Sequence, residues 1–283
     1  IMISINTNYG GLFASKAASQ SQRTLDTAME RLSTGKRINY ATDDAAGQAI
    51  AVRLEAEIQG IAMATRNVAD AQSLMDTADG ALAETSNILL RMRELAVQAS
   101  TGTLNSDDNA ALDAEFQQLE AEIDRIASSS KWAGSDLFTG SARVFHIGTK
   151  ATDTLSHTIA KMAAHDLGVD TAGPDNKTNT TASHADNTDN LVRDLTTATN
   201  AAGVITAVDN AIKLVSTERG KLGALSNRLS STISNLDQVR VNLSASQGRI
   251  EDADFAEETS NLAKGQILQQ AATAMLAQAN ASK

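Results

Sequence analysis

Residues 54–89 read LEAEIQGIAMATRNVADAQSLMDTADGALAETSNIL, and their large apolar side chains recur at Leu54, Ile61, Val68, Met75, Leu82 and Leu89, seven residues apart each time. That repeat is two turns of an α-helix and keeps every rung on one face. Three residues after the middle rungs come Ala64, Ala71 and Ala78. The seam therefore alternates large and small groups and lets a partner helix approach closely. A partner exists in the same chain: Val208, Val215, Leu222, Leu229, Leu236, Leu243 and Ile250 form a second ladder, thickened by Ile212, Leu225, Ile233 and Val239. The two ladders predict helix pairing within the chain, antiparallel or parallel. The first helix, capped at Thr42 or Asp43 and ending near Ser100, is about 85 Å long, which implies a rod.

Between the ladders, Leu112, Phe116, Leu119, Ile123 and Ile126 keep the i, i+4, i+7 spacing of a third amphipathic helix, with Asn105 or Ser106 as N-cap. Helical pattern stops near Ser128. Gly134, Gly140 and Gly148 then punctuate two short strand-like runs, Arg143–Ile147 and Leu155–Ile159, which predict a hairpin. Thr171 to Asn190 is Thr, Asn, Asp, Ser and Gly with the sole proline, Pro174, and reads as a polar surface loop or disordered stretch. The ends read as helices over 4–34, with Gly35 as C-cap, and 255–280. Both are rich in Ala and Ser, with few large apolar groups, so each needs a partner to bury its face.

Composition excludes several functions. The chain has 283 residues, is 3% aromatic, and carries one proline and no cysteine. A turn-rich and aromatic-rich sandwich or barrel is thus disfavoured, and disulfide frameworks and thiolate chemistry are absent. With 24 Lys+Arg against 34 Asp+Glu the net charge is −10, and no basic run breaks it, so a nucleic-acid partner is not expected. No apolar run approaches a membrane span, so no membrane insertion is expected. Met2 to Gly11 lacks the charged and apolar segments of a Sec signal, so a chain that leaves the cell does so without a cleaved signal peptide. Ile1 ahead of Met2 reads as a residue added before the natural start.

Arg31-Leu-Ser-Thr-Gly-Lys-Arg-Ile-Asn39, followed by Ala41-Thr-Asp-Asp-Ala-Ala-Gly-Gln-Ala-Ile-Ala51, resembles bacterial flagellin. Ile5–Asn8, Arg91–Gln98, Asn227–Leu229, Gln266–Ala271 and Ala274–Asn280 resemble the same family, and the likeness covers about residues 3–165 and 191–280. It implies a fold that is mainly α, a long antiparallel helical coiled-coil rod with a small β-hairpin. The implied domains are 2–44 as an N-terminal filament-core segment, 45–165 as the N-terminal part of the rod, 166–190 as a short variable loop, 191–244 as the C-terminal rod helix, and 245–283 as a C-terminal filament-core segment. It further implies a structural, non-enzymatic subunit without cofactor that self-assembles into the extracellular flagellar filament for motility. Its implied partners are further copies of itself, the flagellar export apparatus, an export chaperone and the innate immune flagellin receptor. Large outer domains are absent. The chain stops at Ala281-Ser-Lys283, short of the leucine-containing tail usual in the family, which implies truncation or altered innermost contacts.

The resemblance places subunit and receptor contacts at Arg91, Arg93, Glu94, Leu95 and Glu115, and filament-core assembly at Leu25, Met29, Leu32, Leu268, Met275 and Leu276. For the first group, plain helix-surface ion pairing competes, since Arg91 and Glu94 are three residues apart. Asp43-Asp44 suits helix capping better than acid–base catalysis. The four histidines, His146, His157, His165 and His184, fall close in sequence, and His146 and His157 would face each other across the hairpin in one register; a solvated polar face is the stronger reading and no metal site is expected. No nucleophile with its base and no phosphate loop is present. Two other functions fit less well: a hook–filament junction protein, and a cell-surface glycan-binding or adhesive protein using the hairpin or the 171–190 loop. Trp132, Phe138 and Phe145 are the aromatics available to the latter.

Overall fold

A computed structural model of the chain describes residues 8–170 and 194–281. Among them are six α-helices, α1 (Tyr9–Thr34), α2 (Ala45–Ala99), α3 (Ser106–Ser129), α4 (Ala164–Leu167), α5 (Ala198–Glu251) and α6 (Phe255–Ala281), and two antiparallel strand pairs, β1 (Lys131–Trp132) with β2 (Ser135–Asp136) and β3 (Ala142–His146) with β4 (Thr154–Thr158). The fold is mainly α with a small hairpin, as expected. Thr171–Asn190, expected as a polar loop, lies outside the described residues, as does His184. Packing divides the chain into two compact units, 62–237 and 1–61 with 238–283.

In the unit of residues 62–237 the two ladders meet. Gln72, Asp79 and Arg93 of α2 bond Ser226, Arg219 and Asp209 of α5 respectively, so partners on α5 fall in number as those on α2 rise. The pairing is therefore antiparallel, the sense that the ladders alone left open. Val68, Met75, Leu82 and Leu89 join Val208, Val215, Leu222 and Leu229 in one buried cluster, and the small positions Ala71 and Ala78 are buried with them. The next position of the small series is Thr85, whose hydroxyl donates to the Ala81 carbonyl and so enters the core satisfied. α3 adds Phe116 and Ile123 to the cluster. Its start carries a capping box: Asn105 accepts from the Asp108 N–H at 2.8 Å and Asp108 accepts in return from the Asn105 N–H.

The β3–β4 strands lie one residue earlier than the apolar runs suggested. Arg143 stands opposite His157, Phe145 opposite Leu155, and His146 opposite Thr154. Arg143, Phe145, Leu155 and His157 thus share the covered face, while Val144 and His146 occupy the exposed one. His146 and His157 do not face each other; the register puts them on opposite faces, which corrects that expectation. The β1–β2 pair was not anticipated. It turns through Ala133 and Gly134, both at positive φ (47° and 81°), as a two-residue primed turn requires.

Capping at the start of α2 also differs in detail from expectation. Asp44, not Thr42 or Asp43, accepts from the Gly47 N–H at 2.9 Å and caps the helix. Asp43 instead accepts from the Asn39 and Tyr40 N–H groups and closes the preceding turn. Gly35, as expected, ends α1 in the left-handed conformation, its N–H donating to the Arg31 carbonyl.

Candidate assembly surface

α1 and α6 pack antiparallel within the unit of residues 1–61 and 238–283. Asn8 Nδ2 donates to the Ala279 carbonyl, Gln269 Nε2 to Gln22 Oε1, and Arg31 to Glu258 Oε1 at 2.9 Å. The seam again follows a 3–4 alternation. On α1 it runs Ala14, Ala18, Ser21, Leu25, Ala28 and Leu32; on α6 it runs Glu258, Leu262, Gly265, Gln269, Ala272 and Leu276, all buried or half-buried. Half of its positions are small, Ala14, Ala18, Ser21, Ala28, Gly265 and Ala272, and four are leucine. A Cβ built on Gly265 would stand 3.3 Å from Leu25 Cβ and 3.5 Å from its Cα, so the helices are nearly in backbone contact there. Each terminal helix is the partner the other needed.

A seam half of whose positions are small leaves most of the large apolar groups outside. Phe13 is 76% exposed, Ile267 66% and Met275 65%, and Leu12, Met29 and Leu268 are exposed with them. Phe13, Ala14, Ala17, Leu268, Ala271 and Met275 line an apolar groove of about 450 Å³ along the pair. Contiguous exposed apolar surface of this kind marks an interaction site. Of the six residues expected to build the filament core, Met29, Leu268 and Met275 are exposed, Leu32 and Leu276 are half-buried, and Leu25 is buried against α6.

The loops that join these helices to the long ones are tied to each other. Lys36 and Asp252 form an isolated antiparallel bridge, the Ala253 N–H donates to the Gly35 carbonyl, and Arg37 reaches the Ile250 carbonyl. The Lys36 ammonium lies 2.9 Å from Glu251, and this hydrogen bond is the main force raising its pKa above the usual lysine value. Nothing in the local sequence signals this pairing, because its halves lie more than two hundred residues apart. Asp43 is held below the usual carboxylate range by the N–H groups of Tyr40 and Asn39. Its role, like that of Asp44, is structural, with no acid–base geometry.

The second expected surface divides. Arg91 bonds both Glu115 (2.8 Å) and Glu94 (3.0 Å), and Arg93 bonds Asp209, all on solvated faces. Leu95 is fully buried in the core shared with α3, so it presents no atom to a partner; that expectation is corrected. Among the described residues no group of three or more His, Asp or Glu is placed to hold a metal ion, and no helix is long and apolar enough to cross a membrane.

Profiles of two families span most of the chain: the bacterial flagellin N-terminal helical region matches residues 5–143 and the C-terminal helical region matches 205–283. The chain belongs to the bacterial flagellin family. Among curated relatives it is 43% identical to the flagellin of Halalkalibacterium halodurans over 253 residues, covering 89% of this chain and 87% of that one. It is 39% identical to the flagellin of Bacillus subtilis over 98% of this chain and 96% of its relative. The structure described as that of a putative flagellar hook-associated protein from Vibrio parahaemolyticus shares the fold, with TM-score 0.57 over 74% of this chain and all of that one, at 16% identity. Identity thus favours flagellin over the junction protein. The chain is a structural protein of the flagellar filament and not an enzyme.

Proposed function

We propose that this flagellin polymerises through the outer apolar face of the α1–α6 pair, with residues 2–44 and 245–283 forming the filament core. In this reading 45–165 and 191–244 form the surrounding helical domain, and 166–190 a short variable loop. One observation carries it: half of the pair's own seam is small residues, and Phe13, Ile267 and Met275 are left in solvent. Burial of such side chains between copies contributes roughly 1.5–3 kcal/mol each. Because heterologous contacts repeat without closing, they generate a helix rather than a ring. Leu25 acts indirectly, by holding α1 against α6, while Met29, Leu268 and Met275 supply contact area.

The test is polymerisation of the double variant Phe13→Ser, Met275→Ser, followed by sedimentation and electron microscopy. Both side chains are exposed, so the monomer should keep its helical circular dichroism while the critical concentration for filaments rises by at least about tenfold. Filaments at the unmodified chain's concentration would count against the reading.

The family resemblance supports three further readings: export through the flagellar apparatus with an export chaperone and without a cleaved signal peptide, an extracellular location in the filament, and recognition by the innate immune flagellin receptor. Subunit and receptor contact would both fall on the ion-paired surface of Arg91, Arg93, Glu94 and Glu115. Arg91→Ala should then lower receptor activation and raise the critical concentration for filaments.

A further inference from the structure

We propose that the cleft between α2 and the two hairpins binds a single neutral sugar ring. The cleft holds about 240 Å³. Ala71, Leu74 and Phe145 give it an apolar floor, half-buried Trp132 lines it, and the exposed Asn67, Asp70, Val144 and His146 form its rim. Trp132 is the only tryptophan of the chain. Part of it packs against the core, which fixes its orientation, and part lines the cleft.

The polar side chains are uncommitted. Among the described residues, Asn67, Asp70, His146 and the Trp132 indole make no side-chain hydrogen bond, and none of them holds an unpaired atom sealed from solvent. An apolar concavity with a few convergent, accessible polar groups is how small-molecule sites are built. Its volume lies below the usual ~300–1,000 Å³ of ligand pockets, so it admits one ring rather than a chain of them.

The donor and acceptor set selects the ligand. A pyranose has an apolar C–H face, which stacks on an indole, and a rim of hydroxyls that both donate and accept. Asp70 accepts two such hydroxyls, and Asn67 donates to another. No Lys or Arg lines the cleft, so a phosphate-bearing ligand finds no cationic partner there. Asp70 together with the net charge of −10 disfavours acidic sugars. The test reads the monomer, so the proposal stands or falls apart from the assembly reading.

The sole tryptophan makes the test direct. Trp132 emission and its indole N–H resonance should be followed in the full-length monomer during titration with galactose, mannose or N-acetylglucosamine. At least one should give a saturable change with Kd on the order of 1–10 mM. Sorbitol, which has the hydroxyls without the ring, should give none, and sialic acid should bind at least about tenfold more weakly. Asp70→Asn and Asn67→Ala should each weaken binding by about tenfold with unchanged circular dichroism, whereas Asp76→Asn, exposed on α2 outside the cleft, should leave it unchanged. A linear response to every sugar equal to that of sorbitol would overturn the proposal. So would full binding by both cleft variants, or a saturable response to choline with none to sugars, which would assign the cleft to cations.

Discussion

In the paired ladders of α2 and α5 the large side chains of the repeat face inward, Leu82, Leu89, Leu222 and Leu229 all sealed in one cluster. In the α1–α6 pair Gly265, Ala14, Ala28 and Ala272 occupy the inner positions, and Phe13, Ile267 and Met275 stand in solvent. Both pairs keep the seven-residue period; what differs is where the volume lies. A helix pair that buries its large groups holds itself together, since each contributes a few kcal/mol to folding. A pair that buries small groups achieves close approach and keeps its apolar area for other copies. The same local geometry thus serves folding in one region and polymerisation in the other.

The contrast breaks most sharply at Leu229. Leu229→Asp would put a carboxylate without a partner into a fully buried rung, at a loss on the order of 4 kcal/mol. Urea denaturation followed by circular dichroism should show a collapsed midpoint or no cooperative transition. Gly265→Val probes the other pair. Its side chain meets Leu25 where a Cβ already has only 3.3 Å, so the seam must open, at about 1–3 kcal/mol of local overpacking. The expected result is impaired polymerisation with the main melting transition of the chain retained.

Smaller effects sharpen the picture at the helix starts. Asp44→Ala removes the bond to the Gly47 N–H and should lower stability by about 1 kcal/mol. Asp107→Ala should change it by less than about 0.5 kcal/mol, because Asn105 and Asp108 already cap α3 and only a dipole contribution is lost. Thermal melts of the two variants side by side measure the difference. Acid titration gives the least effect. Asp43 has a folded pKa depressed below its unfolded value near 3.9 by the N–H groups of Tyr40 and Asn39, so its contribution is present above that value and lost as pH falls through the folded pKa. Between about pH 4 and 2 the unmodified chain should therefore lose melting temperature slightly more steeply than Asp43→Asn.

Much of the fold was legible because one period dominates long stretches. The rungs from Ile61 to Leu89 and from Val208 to Leu229 lie where the spacing put them. Leu54, Leu236 and Leu243 were read as equal rungs but are only half-buried, since periodicity names a face without saying how completely it is covered. Leu95 was misplaced for a related reason. Met92 and Ala99 continue the small series of the seam, but Leu95 lies off both series and is buried all the same, in the cluster that Phe116 and Ile123 of α3 also join. The hairpin's existence followed from its glycines and apolar runs, but its register did not, and one residue of register decides which face each histidine takes. The candidate surface was legible in composition, as alanine-rich helices needing partners. That the helices partner each other, and that this takes Leu25 inside, depends on contacts between chain ends that no local signal encodes.

Hydrogen–deuterium exchange in monomer and filament tests the division between folding and assembly helices most directly. In the monomer, amides of residues 68–89 and 208–229 should exchange only through global unfolding, while those of 14–28 and 258–276 should exchange far faster, through local opening of a seam with little buried apolar area. On polymerisation the second group should slow by at least about a hundredfold, as neighbouring copies cover the exposed face, and the first group should change little. Terminal helices as protected in the monomer as residues 68–89, or no slowing on polymerisation, would contradict the account.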